Sequence, residues 1–447
     1  MIFSGVTLAS FLVTLSLTSA CDSKKKSTPE SQEPVRQGPQ VTSTGQRYYD
    51  GKTGISGDGA TSVFISGRAD DQVLKAYSFS ISTPTSPATR ITSTDIGSEL
   101  FVAIAPDAPT WAMLVAEEDQ IRKLYIQQIA SPATLKEVSE GLTPSGSVIG
   151  SPVFSPGTEP MLAFMTAHTA EQKSETRLSV AQIDASGTLK SSVAISNLEQ
   201  GEINPQLQRV GSQYYLLTQL RSRADGSVTF LTRSFSTLAE AGAASPTRIT
   251  PKAQTSLSND WVAGPSDFWV IKKVIPLGSQ SVSPAGNKTT ETLAYRQDSL
   301  GSIPFTGDTI TDVTTPQFQI QGASPTNDGK LLLVTGNEYF SCSDFEGFAS
   351  SMIVRKANGQ LVRLVPRVQD GAWDLTTDPC DKGKGELDYR VLSAILARSP
   401  SADRYHIVYV SWLQNDFEVR QISFTLGDED TLPRDVAVAN VSANPAP

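Results

Sequence analysis

Three cysteines and two histidines are the residues of this 447-residue chain whose types are most often reactive or metal-binding. Two histidines are too few for a histidine-rich metal centre, and His168 and His406 fall near opposite ends of their predicted strands. A serine–histidine catalytic pair is therefore not predicted, and the chain contains no Gly-x-Ser-x-Gly elbow. It also contains no EF-hand calcium-binding loop. The sequence predicts no catalytic residue, no metal site and no cofactor, and it favours a non-enzymatic protein over an enzyme.

The first cysteine follows a short leader. Residues Ile2 to Ala20 carry no charge and are mostly apolar or small, which is typical of a secretory signal peptide rather than of a membrane span. Residues 21–45 are rich in Ser, Pro and Lys and cannot bury a core. We therefore expect a signal peptide over 1–20 and a disordered tether over 21–45.

Leu17-Thr18-Ser19-Ala20-Cys21 resembles the lipobox of bacterial lipoproteins. The resemblance implies that Cys21 is lipidated and anchors the chain to a membrane, since two or three acyl chains hold a protein stably. It also implies a location in the bacterial cell envelope, facing the periplasm or the cell surface. The alternative is a plain secretory signal in which Cys21 has no special role.

The other two cysteines are Cys342 and Cys380. An even number of remaining thiols in an exported chain predicts one disulfide bond between them. Two free buried cysteines are the alternative. A metal pair is less favoured, because no histidine or third cysteine lies nearby.

The charge balance bears on possible partners. The chain has 46 acidic and 37 basic side chains, for a net charge of −9. A nucleic-acid-binding protein needs a concentrated basic face, so nucleic acid is excluded as a partner.

The body of the chain is built from a repeat. Short apolar runs begin at residues 61, 111, 161, 214, 268, 331 and 405, and each is followed by an alternating run. A recurring all-strand unit of this length predicts an all-β fold, a single β-propeller over 46–443 with seven four-stranded blades. The echo of Ser86–Thr92 in Ser245–Thr250 marks two fourth strands. Six or eight blades, or two β-sandwich domains, are the alternatives.

A turn motif carries a second resemblance. Ser155-Pro156-Gly157, Ser324–Lys330 and Arg398–Asp403 resemble the Ser-Pro-Asp-Gly turn of TolB-type and WD40-like propellers. In that family the turn forms a tight hairpin between the first and second strands of a blade, with glycine supplying a positive φ. The resemblance covers the turn and the architecture and does not extend to a function.

Strand order alone places a candidate site. In an antiparallel blade, the turn between strands two and three and the link to the next blade emerge on the same face. The turn 336–350 and the link 366–390 of the sixth blade therefore lie together, which suits a Cys342–Cys380 bridge. They supply the predicted binding residues Tyr339, Phe340, Asp344, Phe345, Phe348, Trp373, Asp374 and Tyr389. The alternative is that the aromatic side chains form a small core under an ordered loop.

Together these features predict a membrane-anchored, non-enzymatic propeller of the cell envelope. Its long-loop face would bind an envelope protein or peptide, since long loops on a rigid scaffold are common binding sites. The alternative is a glycan-binding or glycan-cleaving propeller that uses its central channel, where two carboxylates could meet.

Overall fold

Much of the chain from residue 51 to residue 440 is described by a computed structural model. The described residues are 51–56, 58–67, 73–84, 86–104, 111–138, 147–155, 161–170, 173–184, 188–197, 202–210, 212–221, 228–249, 258–263, 268–274, 291–297, 309–310, 318–326, 331–341, 343, 346–355, 361–369, 372–376, 390–399, 404–413, 416–425 and 434–440. All of them belong to one unit spanning residues 39–447. The predicted signal peptide, the tether and Cys21 lie outside the described residues.

The described strands form seven antiparallel sheets, numbered here in chain order. Sheet 1 contains β1 (Gly51–Ile55), β2 (Thr61–Gly67), β3 (Leu74–Ser80) and β4 (Thr89–Arg90); sheet 2 contains β5 (Ser98–Ile104), β6 (Trp111–Glu118), β7 (Ile121–Gln128) and β8 (Ser131–Glu137); sheet 3 contains β9 (Ser147–Phe154), β10 (Met161–Ala170), β11 (Lys173–Ile183) and β12 (Leu189–Asn197). Sheet 4 contains β13 (Glu202–Val210), β14 (Gln213–Arg221), β15 (Val228–Phe235) and β16 (Thr247–Ile249); sheet 5 contains β17 (Ser258–Ala263), β18 (Phe268–Val274), β19 (Glu291–Gln297) and β20 (Thr309–Ile310). Sheet 6 contains β21 (Phe318–Pro325), β22 (Leu332–Ser341), β23 (Glu346–Arg355), β24 (Leu361–Gln369) and β25 (Ala372–Thr376); sheet 7 contains β26 (Arg390–Arg398), β27 (Arg404–Leu413), β28 (Asp416–Thr425) and β29 (Arg434–Asn440).

Each sheet is a meander of strands that follow one another along the chain. The seven predicted apolar runs are the second strands of the sheets, and the alternating runs are the third strands. The two echoed segments contain β4 and β16, the fourth strands of sheets 1 and 4. The expectation of four strands in every sheet is wrong for sheet 6, where β24 continues into a hairpin with β25.

The first strands of the sheets contact one another in chain order. β1 contacts β5, β5 contacts β9, β9 contacts β13, β13 contacts β17, β17 contacts β21, β21 contacts β26, and β26 contacts β1. The sheets therefore surround a common axis, with their first strands innermost. We call the end of the ring that carries the sheet-to-sheet links and the turns between second and third strands the looped face.

The hydrophobic core lies between neighbouring sheets. The described parts of β2, β6, β10 and β27 are mostly buried, because each of these second strands packs against a sheet on both sides. The six residues Trp111–Ala116 are all buried. The core between sheets 1 and 2 contains Ile65 and Leu114, and the core between sheets 6 and 7 contains Leu333 and Tyr409. Single sheets cannot bury both of their faces, so the sheets stabilise one another.

One short helix interrupts the strands of sheet 4. α1 (Leu238–Ala243) begins after Thr237, whose hydroxyl accepts a hydrogen bond from the Glu240 backbone N–H. The Glu240 carboxylate in turn accepts from the Ser236 backbone N–H at 2.8 Å. This helix was missed because six residues are too few for a helical period to stand out, although Thr-x-x-Glu is a capping-box pattern.

A hydroxyl-bearing residue closes the turn between the first and second strands in several sheets. The backbone N–H groups of Ser56, Ser155 and Thr326 donate to a carbonyl oxygen at the start of the second strand, at 2.8–2.9 Å. The acceptors are Thr61 and Met161, which open β2 and β10, and Leu331, which immediately precedes β22. The hydroxyl oxygens of Ser56, Ser155 and Thr326 accept from the backbone N–H of that same residue, at 2.9–3.1 Å. Ser399 makes the backbone contact as well. The predicted turn therefore lies between first and second strands, and sheet 1, which the motif search missed, also carries it.

Candidate functional site

Five of the eight predicted binding residues lie on strands of sheet 6, where the sequence predicted a turn and a link. β22 and β23 pair up to Ser341 and Glu346, so most of the segment 336–350 is a regular hairpin. Tyr339 lies opposite Phe348, and Phe340 lies opposite Gly347. The expectation that the turn spans 336–350 is wrong, because 336–341 and 346–350 are paired strand.

The described start of the second predicted excursion, 366–390, is also paired strand. In β25, Trp373 lies opposite Val368 and Asp374 lies opposite Arg367 of β24. The ladder between β23 and β24 ends at Leu364, two residues before Pro366, which has no backbone N–H to donate. Beyond that point β24 pairs with β25, and β25 contacts β29 of sheet 7.

Five of the predicted residues cannot be compared with the structure. Cys342, Cys380, Asp344, Phe345 and Tyr389 lie outside the described residues. The disulfide bond therefore stays a prediction.

The rim of the looped face carries a feature that the sequence search missed. Six of the seven described first strands, namely β1, β5, β9, β13, β21 and β26, contain a bulge near the end where the strand begins. Bulges bend a strand and re-aim its side chains, and they are common at the rims of barrels and beside active sites. We call this ring of bulges the bulged rim.

Two exposed residues of the bulged rim have positive φ. Gly150 in β9 has φ 69° and Asn204 in β13 has φ 51°. Asparagine tolerates the left-handed region better than most residues, yet the conformation still costs energy. The Asn204 amide is held in place because its Nδ2 donates to Oε1 of Gln219 at 3.1 Å. A dipeptide signal, Asn-Pro at 204–205, was available in the sequence.

A buried ion pair includes Glu202, two residues before Asn204. Glu202 in β13 and Arg233 in β15 are each 2% exposed and form two parallel bonds, Nη1 to Oε2 at 2.7 Å and Nη2 to Oε1 at 2.6 Å. The Thr218 hydroxyl donates to Oε2 of Glu202 at 2.7 Å. Arg233 lies opposite Leu216, which packs in the core between sheets 3 and 4, so the pair belongs to that interface.

A second first-strand carboxylate is buried between sheets 1 and 2. Glu99 in β5 accepts from the Ala76 backbone N–H and from the Thr92 hydroxyl, both at 2.6 Å. Burial raises the pKa of the Glu99 carboxyl, although both hydrogen bonds act against that rise. Both carboxylates are buried and each of their oxygens accepts a hydrogen bond, so neither Glu99 nor Glu202 is an exposed, free carboxylate of the kind that glycan cleavage in the channel requires.

His406 lies beside a serine in the structure, and the pair does not form a nucleophilic site. His406 is a strand residue of β27, and its Nδ1 is 2.8 Å from the Ser423 hydroxyl of β28. Burial, and to a smaller extent the positive charge of Arg404, lower the pKa of His406 to about 4. An effective general base has a pKa near the working pH, so this histidine is too weak a base at neutral pH.

Two further features, a metal-binding cluster and a membrane-spanning helix, are absent from the described residues. Those residues contain no cluster of three or more metal-ligating side chains. They also contain no helix long and apolar enough to cross a membrane.

Comparison with known proteins identifies the fold. No family model and no curated protein sequence matches the chain. The β-propeller domain of the Trilobed protease from Pyrococcus furiosus aligns with a TM-score of 0.52 and 7% identity, covering 89% of this chain and 96% of that one. An acylaminoacyl peptidase from Pyrococcus horikoshii aligns with a TM-score of 0.50 and 8% identity, covering 86% of this chain and 52% of that one. This chain therefore spans about half the length of that peptidase.

The prediction of a non-enzymatic scaffold is corrected by these likenesses. That prediction rested on the absence of known catalytic motifs from the sequence, whereas the propeller fold occurs in a protease and in a peptidase. At these identities the likeness establishes the fold and no particular activity. The all-β prediction is confirmed: this chain has the β-propeller fold.

Proposed function

We propose that this chain has an enzymatic role in peptide hydrolysis and that its bulged rim contacts the peptide. The observation that carries the proposal is Asn204, an exposed non-glycine residue held at φ 51° on that rim. Strained backbone is retained where the surrounding structure gains something from it, and functional sites are the usual place. The Pyrococcus protease and peptidase supply the substrate class.

The rim suits a polar, extended substrate. Asn204 is exposed, and its side-chain amide keeps its carbonyl oxygen available because Nδ2 is the atom that donates to Gln219. An amide oxygen accepts a hydrogen bond from a peptide N–H. The Glu202–Arg233 pair anchors the start of β13, so the amide is presented from a rigid strand. The catalytic groups would come from outside the described residues.

The test is cleavage of a proteome-derived peptide mixture by the purified full-length chain, read by mass spectrometry. We expect cleavage with a defined sequence preference. The Asn204→Gly variant keeps the backbone conformation and removes the amide, so kcat/KM falls about tenfold, the value of one hydrogen bond to the substrate. A Gly150→Asn variant on the neighbouring bulge controls for changes in rim shape. Peptides that stay intact, or equal rates for wild type and Asn204→Gly, would overturn the proposal.

We also propose that the chain is a lipoprotein of the bacterial cell envelope, held by Cys21. The short uncharged leader, the small residues before Cys21 and the polar tether support this assignment. Cells fed a radiolabelled fatty acid should label the wild-type chain and not the Cys21→Ser variant. Equal labelling of both, or of neither, contradicts the anchor.

We further propose that the propeller has seven blades. The seven sheets and the contact of β26 with β1 support this count. In an experimentally determined map viewed along the channel, seven radial sheets are expected, and any other number refutes the count.

A further inference from the structure

The interface that closes the ring joins the last sheet to the first, and none of the described strands is shared across it. Sheets 1 and 7 are each built from consecutive strands of their own chain segment, β1–β4 and β26–β29. Residues from both sheets fill one apolar cluster, with Phe64 and Phe79 from sheet 1 and Val408 and Val410 from sheet 7. We call this interface the seam.

A small polar network extends the seam toward the face opposite the looped face. Gln421 of β28 donates its Nε2 to the backbone carbonyl of Ile81, in sheet 1, at 2.8 Å. The same Nε2 lies 3.1 Å from Ser423 Oγ and 3.3 Å from His406 Nδ1. Gln421 is 1% exposed and His406 is 6% exposed. The Gln421 side chain thus makes a direct hydrogen bond across the seam.

The orientation of the Gln421 amide follows from its partners. A carbonyl oxygen accepts only from a donor, so the nitrogen of the amide faces Ile81. Nδ1 of His406 lies 2.8 Å from the Ser423 hydroxyl and 3.3 Å from the Gln421 nitrogen. In the neutral ring we assign Nδ1 as the acceptor from these donors, which puts the ring proton on Nε2. Oε1 of Gln421 has no hydrogen-bond partner among the described residues. The amide is satisfied on one side only.

We propose that His406 is an acid-sensitive latch of the seam: protonation of Nδ1 reverses the Gln421 amide and releases the Ile81 carbonyl. A proton on Nδ1 would end its role as an acceptor from the Ser423 hydroxyl, and it would place an N–H beside the amide N–H donors of Gln421. Rotating the amide by half a turn presents Oε1 to the new N–H and satisfies both groups. The nitrogen then no longer faces Ile81, so the bond across the seam is lost.

No negatively charged group among the neighbours named below would compensate a positive charge on the protonated imidazole of His406. Ala397 of β26, Ser423 and Gln421 of β28, and Ile81 of sheet 1 are all uncharged. Arg404, on the same strand as His406, disfavours a second positive charge. Burial and Arg404 lower the pKa of the folded-state ring to about 4 from a usual value of 6.5. The seam is therefore fully latched above pH 6.5, and its stability is lost as the pH falls toward 4.

The first experiment measures the ring itself. The chain has two histidines, so histidine-selective isotope labelling gives two imidazole signals, and a His168→Gln variant assigns them. We expect His406 to be the Nε2–H tautomer at pH 7 and to titrate well below 6.5. Titration near 6.5, or the other tautomer at pH 7, would overturn the proposal.

The second experiment follows the seam by hydrogen exchange of the full-length chain at pH 7 and pH 4.5, corrected for intrinsic exchange. Peptides covering β3 and β28 should lose protection at pH 4.5, with opening increased on the order of fiftyfold from the two pKa values. Peptides covering β10 and β14, at the interface of sheets 3 and 4, should not change. The same loss in both regions, or no loss in either, would overturn the proposal.

Variants separate the latch from general packing. His406→Gln should abolish the acid-dependent loss at the seam, and His168→Gln should preserve it. Gln421→Met keeps the bulk of the side chain without its amide, so the seam should open more at pH 7 and respond less to acid. A full acid response in either His406→Gln or Gln421→Met is the contrary result. This inference is independent of the proposed peptide chemistry, which involves the other face.

Discussion

The interface between sheets 3 and 4 and the seam between sheets 7 and 1 solve the same packing problem differently. Sheets 3 and 4 follow one another along the chain, and their interface contains the buried Glu202–Arg233 pair. The seam joins elements more than 300 residues apart, and its polar contacts are neutral at pH 7. Separating the partners of a buried ion pair costs much free energy, because it leaves uncompensated charges. Separating neutral hydrogen-bonding groups costs less. We therefore expect the interface between sheets 3 and 4 to open less readily than the seam.

Removing one partner of the ion pair should have the largest effect. Arg233→Met leaves the Glu202 carboxylate buried and unpaired, so the free energy of unfolding should fall by about 3–5 kcal/mol. Urea denaturation measures it. The double variant Glu202→Gln with Arg233→Met is the control and should recover most of the loss. If single and double variants are equally destabilised, the charge is not the cause.

A methyl group at Gly59 tests how tightly the seam fits. Gly59 has φ 69°, and a Cβ there would lie 2.3 Å from the carbonyl oxygen of Arg398 in sheet 7. Gly59→Ala should cost about 1–2 kcal/mol for the left-handed conformation and a further ~1–3 kcal/mol for the clash. Thermal or urea unfolding gives the difference.

Gly150→Ala is the matched control for that variant. Gly150 has the same φ of 69°, and a Cβ there would meet nothing within 4 Å. It should lose only the conformational part, about 1–2 kcal/mol. Equal losses for the two alanine variants would show that the seam does not hold Gly59 tightly.

Glu99, at the interface of sheets 1 and 2, and His406, at the seam, should make the stability of the protein depend on pH in opposite directions. Burial raises the pKa of Glu99 in the folded state, so its stabilising contribution is greatest below 4.5 and is lost as the pH rises through the folded-state pKa. Glu99→Gln removes that decline, and at low pH it costs on the order of 1 kcal/mol, because an amide nitrogen cannot accept one of the two hydrogen bonds.

Urea denaturation of wild type and Glu99→Gln between pH 4 and pH 8 measures the effect. The stability difference between the two proteins should shift in favour of the variant as the pH rises. A difference that is constant over this range would contradict the raised pKa.

The smallest effect is expected at the first turns of sheets 1 and 3. Ser56→Ala and Ser155→Ala each remove one hydroxyl acceptor and should each cost about 1 kcal/mol in urea denaturation. Ser56 lies in the turn that carries Gly59, so its variant should also raise hydrogen exchange at the seam. Ser155→Ala should not, and equal exchange in the two variants would argue against that local coupling.

Features that depend on residues close together in the sequence were predicted correctly more often than features that depend on contacts between distant residues. The second strands were identified from runs such as Trp111–Ala116, because a strand buried on both faces must be apolar throughout. The hairpin character of 336–350 was missed, since a polar and aromatic segment can form either a loop or an extended hairpin. The bulge at Asn204 was missed because a bulge is defined by its partner strand.

The sequence by itself determined the all-β repeat, the positions of its central strands and the turns that open them, since these depend on side chains close together in the chain. The structure decided which carboxylates are buried, why the imidazole of His406 stays neutral and how sheet 7 meets sheet 1. Those properties depend on solvent exclusion and on hydrogen bonds between residues such as Ile81 and Gln421, 340 positions apart. No local pattern carries that information, because it exists only once the sheets have come together.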